Sequence, residues 1–91
     1  MRVVSRGRRT AETIFGEHLR ELRASAGLSQ ETLAEKAGLH RNYIGHLERA
    51  EKTASLDVLV RIAAAFDLSL PELLEGFSSR TVRSLSGNSS S

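Results

Sequence analysis

Three polar side chains near the middle of the chain have types and spacing that suit hydrogen bonding to nucleobases. They are Arg41, Asn42 and His46. Arginine can donate two hydrogen bonds to O6 and N7 of guanine, asparagine can pair a donor and an acceptor with adenine, and histidine can contact a base or a phosphate. If the segment is helical, Ile44 and Leu47 define its buried side and Asn42 and His46 point away from it. The alternative is that the three polar side chains form only a solvated helix face.

Other side chains around the same segment could contact a phosphate backbone. Tyr43 lies at the margin of the buried side, where its ring could be buried while its hydroxyl donates to a phosphate. Arg49 and Lys52 could hold the flanking backbone, or they could merely balance nearby acidic residues. Gly45 lies on the outward side at a cost of about 0.5 to 1 kcal/mol, which makes sense if the helix packs closely against something there.

The apolar pattern indicates how these residues are positioned. Apolar residues recur at three- and four-residue spacing across residues 10–77, which predicts an all-α fold of five short helices. The predicted helices begin near Thr10 or Thr13, Ser29, Arg41, Ser55 and Ser69. The second and third are short and joined by a glycine-containing link, as in a helix-turn-helix motif, whose second helix enters the major groove.

Both ends of the chain differ from this middle part. Residues 1–9 hold four arginines and no acidic residue, and they are predicted to form a disordered basic arm. Arg6, Arg8 and Arg9 of this arm could follow a minor groove, or the arm could be only a solubilising tail. Residues 78–91 are predicted to be a disordered, serine-rich tail.

The formal net charge of +2 is therefore unevenly distributed. Residues 10–77, the predicted folded domain, hold all 11 acidic residues but only 7 of the 13 basic ones. A domain that is acidic overall can bind nucleic acid only if its positive charge is gathered on one face.

The composition argues against several other classes of protein. There is no cysteine, which excludes disulfides and thiolate zinc sites. His18, His40 and His46 have no spacing of three or four residues, so we expect no metal site and no cofactor. No Gly-rich loop or Ser/His/Asp arrangement accompanies the carboxylates, so we expect no enzyme. The longest apolar run, residues 62–66, is too short to span a membrane, and no apolar secretory segment follows Met1, so we expect a cytoplasmic protein.

The predicted fourth helix is apolar on two sides, and one small domain cannot easily cover both. The surplus apolar residues are predicted to form a homodimer surface, which would place two recognition helices about one DNA turn apart. This surface comprises Val58, Ile62, Ala65, Leu70 and Leu73. The alternative is that the fifth helix covers these residues within one molecule.

Residues 13–75 resemble one family of DNA-binding domains. The segment Leu28-Ser-Gln-Glu and the following Leu33-Ala-Glu-Lys-Ala-Gly38 are similar to the phage-repressor-like helix-turn-helix family, also called the Cro/C1 or xenobiotic-response-element type. The segment Leu39-His-Arg-Asn-Tyr-Ile-Gly-His-Leu-Glu-Arg49 looks most like restriction–modification controller proteins and small phage-type regulators.

This resemblance implies a five-helix, lambda-repressor-like domain. It also implies a transcriptional regulator that binds double-stranded DNA in a sequence-specific way, as a homodimer on a pseudo-palindromic operator, at the nucleoid of a bacterium or in a phage-type setting. The alternative is an antitoxin-like or protein-interaction module whose DNA binding is secondary.

The resemblance also implies roles for individual positions. The three base-reading candidates fall on the family's base-reading positions, in agreement with the helical geometry. Gln30 would bind a phosphate through its side chain, beside the backbone N–H groups of a helix N-terminus. Arg23 and Glu48 would form a buried ion pair that joins the first helix to the third.

Three features depart from the family's pattern. Ala50 stands where glycine is usual, so a left-handed turn there would carry about 1 kcal/mol of strain. Thr53 and Ala54 replace a common Asn-Pro pair, which is expected to loosen that loop. His40 replaces the usual Ser, Thr or Asp cap, which is expected to weaken the start of the third helix.

Overall fold

The computed structural model describes residues 9–86, and these residues form six α-helices and no strand. The helices are α1 Ala11–Ala26, α2 Gln30–Ala37, α3 Arg41–Glu48, α4 Leu56–Phe66, α5 Leu70–Leu73 and α6 Ser79–Ser86. The all-α prediction is confirmed, and α2 and α3 form the helix-turn-helix at the predicted place. Within residues 9–86 no helix combines the length and the apolar character that crossing a membrane requires.

Small polar side chains determine where most of these helices begin. Thr10, Ser29, Ser55 and Ser69 each accept a hydrogen bond from the backbone N–H three residues later, which satisfies a donor at the first turn. At Ser69 the Glu72 carboxylate also accepts from the Ser69 N–H at 2.8 Å, which completes a capping box. The predicted starts of these helices agree with the structure because they rest on this local chemistry.

The core forms where helices α1 to α5 meet. Its buried apolar residues are Phe15, Leu19, Leu33, Ala34, Ala37, Ile44, Leu47, Ile62, Ala63 and Leu73. Helix α3 packs against both α1 and α2, and α4 packs against α2 and α5. Ile44 and Leu47 of α3 are 0% and 1% exposed, so the opposite side of this helix is the side that faces outward.

The structure contains a sixth helix that the sequence pattern did not indicate. The prediction that residues 78–91 form a disordered tail is wrong for Ser79–Ser86, which are helical. Ser78 stabilises the first turn, because its hydroxyl accepts from the Thr81 N–H at 3.2 Å. Leu85 of α6 is half-buried and shares a cleft with residues of α1. The polar composition of the tail alone does not predict this position beside α1.

The structure corrects the predicted homodimer surface at two of its five residues, Ile62 and Leu73. Ile62 and Leu73 are both 0% exposed, and Val58, Ala65 and Leu70 are half-buried against the core. The reason is that α2 and α5 pack against α4 and cover this side within one molecule. The sequence showed that α4 is apolar on two sides but not which side its neighbours cover.

A different pair of apolar residues on α4 is open to solvent. Leu56 is 69% exposed and Val60 is 48% exposed, and they lie one helical turn apart on the same side. These two residues, called the α4 apolar pair below, are the large apolar side chains of α4 that its neighbours leave uncovered.

Ala50 adopts the left-handed conformation, with φ of 60°, directly after α3. The turn is closed by hydrogen bonds from the Ala50 N–H to the Leu47 carbonyl at 3.1 Å and from the Glu51 N–H to the His46 carbonyl at 2.9 Å. Since a Cβ in this region is unfavourable, the strain expected from the sequence is present.

Replacing Ala50 by glycine is therefore expected to raise the free energy of unfolding by about 0.5 to 1 kcal/mol. Ala24→Gly provides the matched control, because Ala24 is exposed within α1 and glycine in a helix costs about 0.5 to 1 kcal/mol. The two changes should have opposite signs in urea denaturation. Destabilisation by both would show that the turn at Ala50 is not strained.

The other two departures are accommodated by new contacts. The ring Nδ1 of His40 accepts from the Asn42 N–H at 3.2 Å, so the histidine does cap α3. The Thr53 hydroxyl donates to the Glu12 carboxylate at 2.9 Å, which ties the loop after α3 to the start of α1.

Candidate nucleic-acid interface

The outward side of α3 carries two of the three predicted base-reading residues at its N-terminal end and the third, His46, in its last turn. Arg41 and Asn42 are both exposed. Arg41 Nη1 lies 3.4 Å from Glu31 Oε2 of α2, and both of these side chains are about 70% exposed. Such an exposed ion pair contributes little stability and is readily exchanged. Within residues 9–86 the Asn42 side chain forms no hydrogen bond, so both its donor and its acceptor are available.

The carboxylate of Glu51 contacts two further polar side chains on this side of α3, those of His46 and Arg49. Glu51 Oε1 lies 2.8 Å from His46 Nδ1, and the Arg49 guanidinium donates to both oxygens of Glu51 at 3.0 and 3.2 Å. These hydrogen bonds, first from Arg49 and then from His46, lower the pKa of Glu51 to about 2. Glu51 is therefore ionised at neutral pH and can act only as an acceptor.

Two side chains predicted to contact phosphates, those of Arg49 and Gln30, lie next to Gly45. An added Cβ at Gly45 would lie 3.0 Å from Arg49 Nη1 and 3.3 Å from Gln30 Oε1. The lack of a side chain at this position therefore gives room for Arg49 and Gln30 to lie along the helix. The close approach expected at Gly45 is made by residues of the same molecule.

Beneath these side chains lies a buried polar network. Arg23 Nε and Nη2 donate to the two oxygens of Glu48 at 2.6 and 3.1 Å, and Arg23 Nη1 donates to the Leu28 carbonyl at 2.9 Å. Gln30 Nε2 donates to Glu48 Oε1 at 2.9 Å. The Glu48 side chain is 0% exposed. One carboxylate thus joins α1, α2 and the end of α3.

The pKa of Glu48 reflects two opposing effects. Burial raises the pKa of Glu48, but hydrogen bonds from Arg23 and Gln30 more than offset burial and hold it below the ordinary value of 4.5. The bond to Glu48 is also the main reason why the pKa of Arg23 is raised. Both groups remain charged, so the network anchors Gln30 at the N-terminus of α2.

Gly16 of α1 is a residue that the sequence analysis did not identify. An added Cβ there would lie 2.6 Å from the Leu47 carbonyl oxygen and 2.7 Å from that of Glu48. Helix α1 therefore crosses the last turn of α3 at a distance that only glycine allows. The signal in the sequence was a glycine within a predicted helix, at a cost of about 1 kcal/mol relative to alanine.

The other residues predicted to contact DNA lie in α3, in the loop after it and in the basic arm. Tyr43 is half-buried against the core, and Lys52 is exposed on the loop after α3. Arg9 is exposed and forms an ion pair with Glu17 of α1. Arg6 and Arg8 lie outside the described residues.

Comparison with known proteins agrees with this geometry. A helix-turn-helix family model, HTH_3, matches residues 19–73. Control protein C.SmaI of Serratia marcescens is 48% identical over 61 residues, which cover 67% of this chain and 73% of that protein. Control protein C.BamHI of Bacillus amyloliquefaciens is 38% identical over 63 residues, covering 68% of this chain and 78% of the relative.

A solved structure gives the same result. The crystal structure of the restriction-modification controller protein C.AhdI from Aeromonas hydrophila matches with a TM-score of 0.66 and 47% identity, over 68% of this chain and 94% of that one. The family match spans α2 and α3, whose outward side carries the polar groups described above. The chain therefore belongs to the helix-turn-helix family of Cro/C1 type and is a DNA-binding transcriptional regulator.

Proposed function

We propose that this regulator binds a pseudo-palindromic operator as a homodimer and that Arg41, Asn42 and His46 contact base edges in the major groove. The proposal rests on the exposed polar side chains on the side of α3 that faces away from the core. Asn42 is exposed with no hydrogen bond from its side chain within residues 9–86, and Arg41 is held only by an exposed ion pair. Both side chains can therefore turn to bases at little cost.

Contacts to the phosphate backbone would come from the residues that surround α3. Gln30 begins α2, whose first backbone N–H groups have no acceptor within the helix, and its side-chain amide nitrogen donates to Glu48, which holds the side chain in place. A phosphate at this helix start would accept hydrogen bonds from the backbone N–H groups and from the Gln30 side-chain amide. Arg49, Lys52 and the Tyr43 hydroxyl would contact the flanking strand. Arg6, Arg8 and Arg9 of the basic arm would add contacts in a minor groove.

The names of the relatives suggest the genes on which the regulator acts. C.SmaI and C.BamHI are named control proteins, and C.AhdI is described as a restriction-modification controller. By this similarity we propose that the chain controls expression of restriction–modification genes, in the cytoplasm and at the nucleoid.

A homodimer needs a surface that one molecule leaves uncovered, and the α4 apolar pair provides it. Leu56 and Val60 are the most exposed large apolar side chains of α4, and exposed apolar groups on one helix side favour association. Pairing about a twofold axis would bring two α3 helices to successive major grooves, about 34 to 36 Å apart. A second copy of the chain is therefore the proposed partner.

Replacing Val60 by glutamate is expected to shift the protein from dimer to monomer in analytical ultracentrifugation, because the charge would be buried in the interface. Val82→Glu on α6 is the matched control, since Val82 is 50% exposed and Val60 is 48% exposed. The control should remain dimeric. A wild-type protein that is monomeric at high concentration, or dissociation by both variants, would contradict the assignment of this surface.

Selection of bound duplexes from a random DNA pool, at one fixed salt concentration, tests the proposed operator. The expected product is a twofold-symmetric sequence with half-sites about 10 base pairs apart. An enriched but asymmetric sequence would contradict the dimeric arrangement. No enrichment would contradict sequence-specific binding and would favour a protein-interaction module instead.

A further inference from the structure

The turn after α3 places a carboxylate beside a base-reading residue. Because Ala50 is left-handed, the backbone N–H of Glu51 reaches the His46 carbonyl at 2.9 Å. The Glu51 side chain thereby returns along the outward side of α3 and contacts the His46 ring at Nδ1, at 2.8 Å.

The chemistry of this contact determines the form of the imidazole. An ionised carboxylate has no proton to donate, so His46 Nδ1 must carry the hydrogen. In the neutral ring the other nitrogen, Nε2, is then an unprotonated acceptor. Nε2 of His46 has no hydrogen-bond partner among the described residues, and it is not one of their buried unpaired atoms. The acceptor is therefore accessible on the surface proposed to face DNA.

Arg49 shares the Glu51 carboxylate with His46. Arg49 donates twice to the same carboxylate, so a guanidinium already balances the charge of Glu51. These two groups are the charged residues that contact His46 or its partner.

We propose that Glu51 is a specificity-determining positioning residue, which fixes His46 as an acceptor and so makes it select a base with an exocyclic amino group. In the major groove that group is N6 of adenine or N4 of cytosine. Guanine and thymine present O6 and O4 instead, and an acceptor cannot bond to either. This inference rests on the proposed function, and it adds which bases His46 accepts and which residue imposes that choice.

The test begins with the selected operator and the full chain, at one fixed pH and salt concentration. His46→Ala identifies the base pair at which His46 discriminates. At that position adenine is replaced by purine, or cytosine by pyrimidin-2-one, each of which lacks the amino group. Removing the amino group is expected to weaken binding of the wild-type protein by about 5- to 150-fold.

Glu51→Ala is expected to reduce this loss to less than about 3-fold, because the ring can then present either nitrogen as a donor. Discrimination at the positions contacted by Arg41 and Asn42 should be unchanged. Glu75→Ala is the matched control for the change in net charge, since Glu75 is exposed near the end of α5, and it should keep the full loss.

Three results would overturn the inference while leaving the proposed function intact. The His46 position could require guanine or thymine on the contacted strand. Glu51→Ala could retain the full dependence on the amino group. Glu51→Ala could also raise the affinity for all duplexes equally, which would show that the Glu51 carboxylate acts only by repelling phosphates. A wild-type protein without any sequence preference would overturn the proposed function and this inference together.

Discussion

Replacing Glu48 by alanine is expected to lower the free energy of unfolding by about 3 to 5 kcal/mol. The carboxylate is fully buried and accepts hydrogen bonds from Arg23 and Gln30. Its loss leaves the Arg23 guanidinium, whose side chain is 19% exposed, without its counter-charge. A domain of this size has only about 5 to 15 kcal/mol of stability, so urea denaturation should detect a loss of a large part of it.

A double replacement distinguishes two causes of this loss of stability: the buried Arg23 charge left without a partner, and the packing lost with the Glu48 side chain. Arg23→Met combined with Glu48→Leu removes both charges and keeps apolar volume, so we expect it to cost much less than Glu48→Ala, within about 1 kcal/mol of the wild type. Arg20, 3.7 Å from Glu48 and 62% exposed, can turn to solvent. If the double variant were as unstable as the single one, the stranded-charge explanation would be wrong.

The same ion pair should make stability depend on acid pH. Because the folded-state pKa of Glu48 lies below the ordinary 4.5, its contribution is present above the unfolded-state pKa and is lost as the pH falls through the folded-state pKa. The wild type should therefore lose more stability than the double variant when the pH is lowered from 7 into this acidic range. Equal losses would show that Glu48 does not contribute to the acid sensitivity.

Replacing Gly16 by alanine is expected to cost about 3 kcal/mol or more, although alanine is the better helix former by about 1 kcal/mol. The added Cβ would meet the carbonyl oxygens of Leu47 and Glu48 at 2.6 and 2.7 Å. These are backbone atoms at the end of α3, so the clash can be relieved only by moving α1 away from α3. Thermal and urea denaturation should both show the loss.

Gly45→Ala is the matched control, because it makes the same chemical change in a helix. There the nearest atoms, at 3.0 and 3.3 Å, belong to the ends of the Arg49 and Gln30 side chains, which can move. We expect the stability to change by less than about 1 kcal/mol, while binding to DNA weakens because both side chains are displaced. Equal destabilisation by the two variants would contradict the close crossing of α1 and α3.

Features with a local cause could be predicted from the sequence. Ser29 caps α2 and Gly38 ends it in the left-handed conformation, as their residue types indicate. Ile44 and Leu47 mark the buried side of α3 because helical periodicity alone decides which residues share a side. The ion pair between Arg23 and Glu48 is present as the family resemblance implied.

Features that depend on tertiary packing could not be predicted in the same way. Ile62 was assigned to an interface, yet neighbouring helices bury it within one molecule. Helix α6, at Ser79–Ser86, is too polar to be predicted by periodicity and is seen beside α1. The contact between Glu51 and His46 depends on the turn at Ala50, which the sequence placed in doubt.

The central claim is that the outward side of α3 distinguishes bases, and single-residue variants test it most directly. Binding of the wild type, Arg41→Ala and Asn42→Ala to the selected operator and to its single-base variants is measured at one salt concentration. Each variant should lose about 1 to 3 kcal/mol of discrimination, confined to its own base pair. Lys52→Ala should instead weaken binding to all sequences alike. Uniform weakening by Arg41→Ala and Asn42→Ala, with discrimination intact, would contradict the claim.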